Sequence, residues 1–210
     1  MNDSNKHYNL RLVLKFVVKK KLHIGNNIAI KTIADMQLSR VGDDVIIPAS
    51  TIKGVLRTCM IRIAKLFGYD IKNSSIHPDY IREDDIVTSL LGKPHGYRSK
   101  VIIYPVLLKN IQPLILSHVT IDDKLGIAKK GELFKIEYIP TGTEFNVIIE
   151  GYNVTLDEAR LLFLALIEIN YERFGRGGMV EVFIEDEKSS ISEDVKADNI
   201  IKEVLECRKI

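Results

Sequence analysis

Leu10, Leu12, Leu14, Phe16 and Val18 alternate with Arg11, Val13, Lys15 and Val17, the period-two pattern of a strand with one buried face, and the run stops at Lys19, Lys20 and Lys21. From His23 to Asp44 the periodicity lapses into a long connection carrying Gly25 and Gly42. Connections beyond about 15 residues are more often functional or disordered than idle. Helical spacing then takes over at Ile52, Val55, Leu56, Cys59, Ile63 and Leu66, with Ser50 expected as N-cap and Gly68 as C-terminal stop. Residues 69–99 show only weak helical period and hold Pro78, Pro94 and the acidic run Glu83, Asp84 and Asp85, so they read as an insertion.

Residues 101–106 read as a strand, and 107–117, flanked by Pro105 and holding Pro113, as an irregular excursion. Residues 133–139 and 145–149, joined by Pro140-Thr141-Gly142-Thr143, predict a hairpin. Thr155 and Glu158 have capping-box spacing ahead of a stripe at Ala159, Leu162, Phe163, Leu166 and Ile169. A glycine-rich break at 174–178, a strand at 180–184, a charged linker and a helix around 198–207 close the chain. The order strand, helix, strand, strand pair, helix, strand predicts an α+β fold: a ferredoxin-like (RRM-like) antiparallel sheet with its helices on one face and insertions between elements.

With 46% hydrophobic and 28% charged residues among 210, the chain is no disordered polymer and can bury a core without metal or disulfide. Its two cysteines, Cys59 and Cys207, have no metal-ligand spacing. Apolar runs fall short of the ~20 residues a bilayer span needs, and residues 1–7 are polar, so a cytoplasmic protein is expected. The net charge of +2 conceals an asymmetry. Residues 1–100 hold 17 Lys and Arg against 9 Asp and Glu, and residues 101–210 hold 13 against 19. Such a chain can meet a polyanion only through a local groove.

Three places could hold one. The helix after Pro48 presents amide groups and the positive end of its dipole, with Lys53 and Arg57 four residues apart and Gly54 leaving room for a sugar-phosphate backbone. It reads equally as a solvated basic face. The run Arg173-Phe174-Gly175-Arg176-Gly177-Gly178 can nest phosphate on backbone amides beside two guanidinium groups, or serve as a plain turn. Asp35, in the first long loop, is either a turn former or a carboxylate able to bind Mg²⁺ or position a nucleophile. The histidines, at positions 7, 23, 77, 95 and 118, form no metal motif by spacing.

Taken together, six segments in order resemble the RAMP superfamily, specifically the backbone subunits of type III CRISPR effector complexes. They are Leu22-His23-Ile24-Gly25; Ile47-Pro48-Ala49-Ser50-Thr51-Ile52-Lys53-Gly54-Val55-Leu56-Arg57, similar to the family's IPGSSLKGxLR; Leu90-Leu91-Gly92 with Arg98-Ser99-Lys100-Val101; His118-Val119-Thr120-Ile121-Asp122 with Gly126-Ile127-Ala128; residues 133–145; and the glycine-rich run at 174–180. The resemblance implies one RAMP domain over 1–210: a palm at 8–68 and 100–184, an insertion at 69–99, a thumb at 107–117 and an acidic tail at 185–210. It implies copies stacked along a guide CRISPR RNA with other RAMP and effector-complex subunits and no membrane. Asp35 would cut target RNA with Mg²⁺, while His23, Ser50, Lys53, Gly54, Arg57, Arg173, Gly175, Arg176 and Gly177 would hold RNA. A non-catalytic scaffold or filament-end cap with the same grip is the alternative. A metal-independent, histidine-based guide-processing ribonuclease is a third reading.

Overall fold

The computed structural model describes residues 6–25, 34–71, 85–92, 98–122 and 125–208. The predicted first strand is β1 (Tyr8–Lys20), whose alternate side chains Leu12, Leu14, Phe16 and Val18 are fully buried. Its apolar face receives two helices, α1 (Ala49–Leu66) and α3 (Leu156–Glu168), which pack against each other. Between β1 and α1 lies a short hairpin, β2 (Arg40–Val41) and β3 (Asp44–Ile47). α2 (Ile86–Leu91) follows α1, and then come β4 (Val101–Ile103), β5 (Val106–Leu108), β6 (Leu114–Ile121), β7 (Ala128–Tyr138) and β8 (Glu144–Val154). After α3 come β9 (Met179–Ile184), α4 (Glu193–Lys196) and α5 (Asn199–Arg208).

The main sheet has the order β4-β8-β1-β9, all antiparallel. Counting β1, β4, β8 and β9 as its four strands in chain order, this is the 4-1-3-2 arrangement of a ferredoxin-like fold, as predicted. Phe16 anchors the core between Phe145, with ring centroids 5.4 Å apart, and Phe174, at 5.8 Å. The Thr155 capping box forms as expected: the Thr155 hydroxyl accepts from Glu158 N–H, and the Glu158 side chain accepts from Thr155 N–H.

Several expectations are corrected. The strand expected over 101–106 breaks at Pro105, which has no N–H to pair. Up to Tyr104 the chain bonds β8, and from Val106 it bonds β3 instead. Residues 107–117 are therefore not irregular throughout, since they contribute to β5 and β6. The expected hairpin of 133–139 with 145–149 does not form: β7 pairs with β6 in a two-stranded ribbon, and β8 pairs with β1. The Pro140 turn passes the chain from one sheet to the other, with Gly142 N–H donating to Val18 O at 2.8 Å. The acidic tail after β9 packs on the palm, with Ile191, Val195, Ile201, Val204 and Leu205 buried in the common core. Of the insertion at 69–99, residues 72–84 and 93–97 lie outside the described residues.

The uncovered face of the sheet carries Arg11, Lys15 and Lys19 along β1, each matched by an acid, Glu150 at 3.5 Å, Glu144 at 2.7 Å and Glu181 at 3.0 Å. These pairs contribute little stability, but they cancel the charge that would draw a polyanion to that face. The same face also carries a pair of aromatics: the exposed Tyr104 and Tyr152 both donate to Glu150 Oε2, at 2.9 and 2.7 Å. Among the described residues no helix is long and apolar enough to cross a membrane.

Candidate nucleic-acid interface

Beyond Lys20 the backbone of β1 keeps pairing, now with two other segments. Leu22 and Ile139 exchange both hydrogen bonds, at 3.2 and 2.8 Å, and the His23 carbonyl accepts from Arg176 N–H at 2.8 Å. The glycine-rich turn is thereby pressed onto residues 22–24. A Cβ on Gly175, whose φ is +63°, would stand 2.6 Å from the His23 carbonyl oxygen, and one on Gly178 would stand 2.1 Å from Leu22 Cβ. Gly178→Ala is therefore expected to lower unfolding free energy by about 1–3 kcal/mol through overpacking, measured by urea denaturation. An unchanged midpoint would mean that loop and strand extension separate without cost.

Asp35 reaches the same place from the first loop. The amides of Asp35 and Met36 both donate to Lys135 O at 3.0 Å, and Glu137 N–H donates to Met36 O at 2.9 Å, laying this segment along the free edge of β7. The carboxylate of Asp35 is exposed, and its Oδ2 accepts from Lys135 N–H at 2.7 Å. Arg176 Nη1 lies 2.8 Å from Met36 Sδ, next to Asp35 in the chain. His23 is 8% exposed, with Nδ1 2.8 Å from the Glu137 carbonyl oxygen. A carbonyl can only accept, so Nδ1 carries the proton of that bond. His23, Asp35 and Arg176, from three separate stretches of sequence, thus meet at the base of the β6–β7 ribbon. Gly175 and Gly177 are exposed on the same turn.

The N-terminus of α1 differs from expectation. Pro48, not Ser50, is the N-cap, because its carbonyl accepts from Thr51 N–H at 3.0 Å, and Ser50 is an exposed residue already inside the helix. Gly54 is exposed, with open space where a Cβ would stand. Burial, and after it the neighbouring charge of Arg57, hold the Lys53 ammonium below its ordinary pKa. Arg57 is turned to a structural task, donating to the carbonyls of Leu91 at 3.3 Å and Gly92 at 2.5 Å at the C-terminal end of α2. Burial also lowers its pKa, opposed by Asp85. α1 connects to the Asp35 group through backbone: Ser39 N–H donates to Ile24 O and Ile46 N–H to Ser39 O, both at 2.8 Å, just ahead of Pro48. Arg173 is exposed beside the turn, its amide donating to Glu172 Oε1 at 2.9 Å.

Two features escaped the sequence. Glu137, in a strand of alternating character, gave no signal, yet it bonds both His23 and the segment that follows Asp35. His118 and Tyr138 lie on paired strands, with the Tyr138 hydroxyl 3.0 Å from His118 Nε2, Phe134 stacked on His118, and Lys21 Nζ 4.8 Å above the Tyr138 ring. Among the described residues no three His, Cys, Asp or Glu side chains gather to hold a metal ion. Asp35 alone, with one oxygen committed to an amide, does not fit a protein-held Mg²⁺ site.

Compared with known proteins, residues 15–179 match the family model of the RAMP superfamily, well over half of the chain. No curated protein matches it.

Proposed function

The chain belongs to the RAMP superfamily, and from that premise we propose that it is a guide-RNA-binding backbone subunit of a type III CRISPR effector complex that cuts target RNA at Asp35. Membership points to a CRISPR-associated RNA-binding role within a complex; the subunit type, the partners and the cutting are the proposal. The observation that carries it is that Arg176, on the glycine-rich turn, bonds His23 through its amide and reaches Met36, the neighbour of Asp35, with its guanidinium, with Lys20, Lys21 and Lys135 on the segments that build the group. On the open sheet face cations are neutralised by acids, so the sheet end and ribbon base are where a phosphodiester chain finds cations and backbone amides together.

In this reading Arg176, the amides around Gly175 and Gly177, and Lys53 hold phosphate, and sequence is left to base pairing between guide and target. Arg57 supports α2 rather than RNA. In this reading the thumb extends from 107–117 into the β6–β7 ribbon, which carries the exposed apolar side chains Val119, Ile121 and Leu133. Asp35 orients or deprotonates the 2′-hydroxyl beside the scissile phosphate. The scaffold alternative draws on the commitment of Asp35 Oδ2 to the Lys135 amide.

Arg176→Ala and Lys53→Ala test the grip. Each should weaken RNA binding to a similar degree for every guide sequence and flatten the dependence of log affinity on log salt by about one unit. Titrations of labelled guide at several salt concentrations read both. A strong preference for one guide sequence, or an unchanged salt slope in both variants, would contradict the reading.

A further inference from the structure

Glu137 bonds two of the stretches that build the Asp35 group, residues 36–40 and His23, the first through its carboxylate and main chain and the second through its carbonyl. Glu137 is 9% exposed. Its Oε2 accepts from Leu38 N–H at 3.0 Å and from Arg40 Nη2 at 3.1 Å. Its own N–H donates to Met36 O at 2.9 Å, and its carbonyl oxygen lies 2.8 Å from His23 Nδ1. Those contacts hold the segment that follows Asp35. Met36 is the next residue, Leu38 and Arg40 fix the segment as it leaves β7, and Lys135, two residues before Glu137 in the strand, supplies the amide that binds Asp35 Oδ2.

A buried carboxylate is costly unless it is hydrogen-bonded and paired, and Oε2 of Glu137 meets that demand with one amide and one guanidinium. We propose that Glu137 is the positioning residue of this site: its side chain fixes the Asp35 segment on the edge of β7 while its main-chain carbonyl fixes the ring of His23. With Nδ1 engaged by that carbonyl, the other nitrogen of His23, Nε2, is directed over the bare Cα of Gly25, where a Cβ would stand only 2.6 Å away. When the ring is uncharged, this tautomer leaves Nε2 as an acceptor, suited to a ribose 2′-hydroxyl. Arg40 completes the arrangement by balancing the Glu137 charge. The functional side of this inference rests on the RNA-binding reading above; the positional side does not.

The test uses the full chain and two variants. Glu137→Ala removes the acceptor, and Glu137→Gln keeps an oxygen for Leu38 N–H while discarding the charge. The reporter is amide hydrogen exchange at Lys135, whose partner is Asp35 and not Glu137. In Glu137→Ala, Lys135 should exchange about tenfold faster or more, while the Leu14 amide in the middle of β1 stays as slow as in the parent. Glu137→Gln should recover most of the protection. In RNA assays Glu137→Ala should lower cleavage at saturating target about 10- to 100-fold with half-saturation unchanged. Unaltered exchange at Lys135 in Glu137→Ala overturns the proposal. So does equal acceleration at Leu14, which would make Glu137 a general stabiliser. If the parent chain binds no RNA, the functional reading fails while the exchange measurement still decides what Glu137 does.

Discussion

Asp35→Ala should leave target RNA bound and abolish its cutting, lowering the cleavage rate at the positions this subunit occupies by about 10²–10⁴-fold, the usual contribution of one positioned acid–base group. Binding should survive because Asp35 contributes no positive charge. Its links to β7 are mostly main chain, from the amides of Asp35 and Met36 to Lys135 O, and alanine retains them. What is lost is the carboxylate held by Lys135 N–H at 2.7 Å. Asp35→Asn separates its two possible contributions, because an amide still accepts a hydrogen bond but cannot take a proton. A variant that cuts as fast as the parent in a purified complex leaves the scaffold reading standing. Loss of target binding in Asp35→Ala would show that Asp35 belongs to the grip.

The second large effect concerns the opposite end of the palm. Glu158 is 4% exposed. Its Oε1 accepts from Ser89 Oγ at 2.6 Å and Lys100 Nζ at 2.8 Å, and its Oε2 from Lys100 Nζ and Thr155 N–H, both at 2.8 Å. One carboxylate therefore ties α2, the approach to β4 and the start of α3. Glu158→Ala leaves the Lys100 ammonium without its partner and removes half of the capping box. Breaking a buried pair in this way costs about 3–5 kcal/mol. The lower figure is expected here because a quarter of the Lys100 side chain, 25%, remains in water. Urea denaturation should show the loss, and Lys100→Met combined with Glu158→Ala should recover part of it, since no charge is then stranded. A Glu158→Ala variant within 1 kcal/mol of the parent, well inside the buried-pair range, would mean that Lys100 finds another partner at little cost.

The two carboxylates show how differently sites disclose themselves. Glu158 was legible because a capping box is a local motif, with donor and acceptor three residues apart. Glu137 was not. Its partners are His23, Met36, Leu38 and Arg40, roughly a hundred residues away, and they depend on which strand β7 lies beside. Arg57 reads from the sequence as an RNA-holding cation, and the structure shows its guanidinium donating to the end of α2, a contact that no spacing in the sequence foretells.

Sequence alone determined the local elements and the family. The alternation of β1, the apolar stripes of α1 and α3, the Thr155 cap and the glycine-rich turn each follow from the conformational preferences of neighbouring residues, and their order specified a ferredoxin-like α+β fold. Tertiary structure decided the pairings. β7 joins β6 rather than β8, the chain changes sheets at Pro105, the tail enters the core, and His23, Asp35, Glu137 and Arg176 come together. A strand's side-chain pattern states which face is buried but leaves its edges unassigned. The choice of neighbour at each edge is made by backbone hydrogen bonds between distant segments, and the site is built from those bonds.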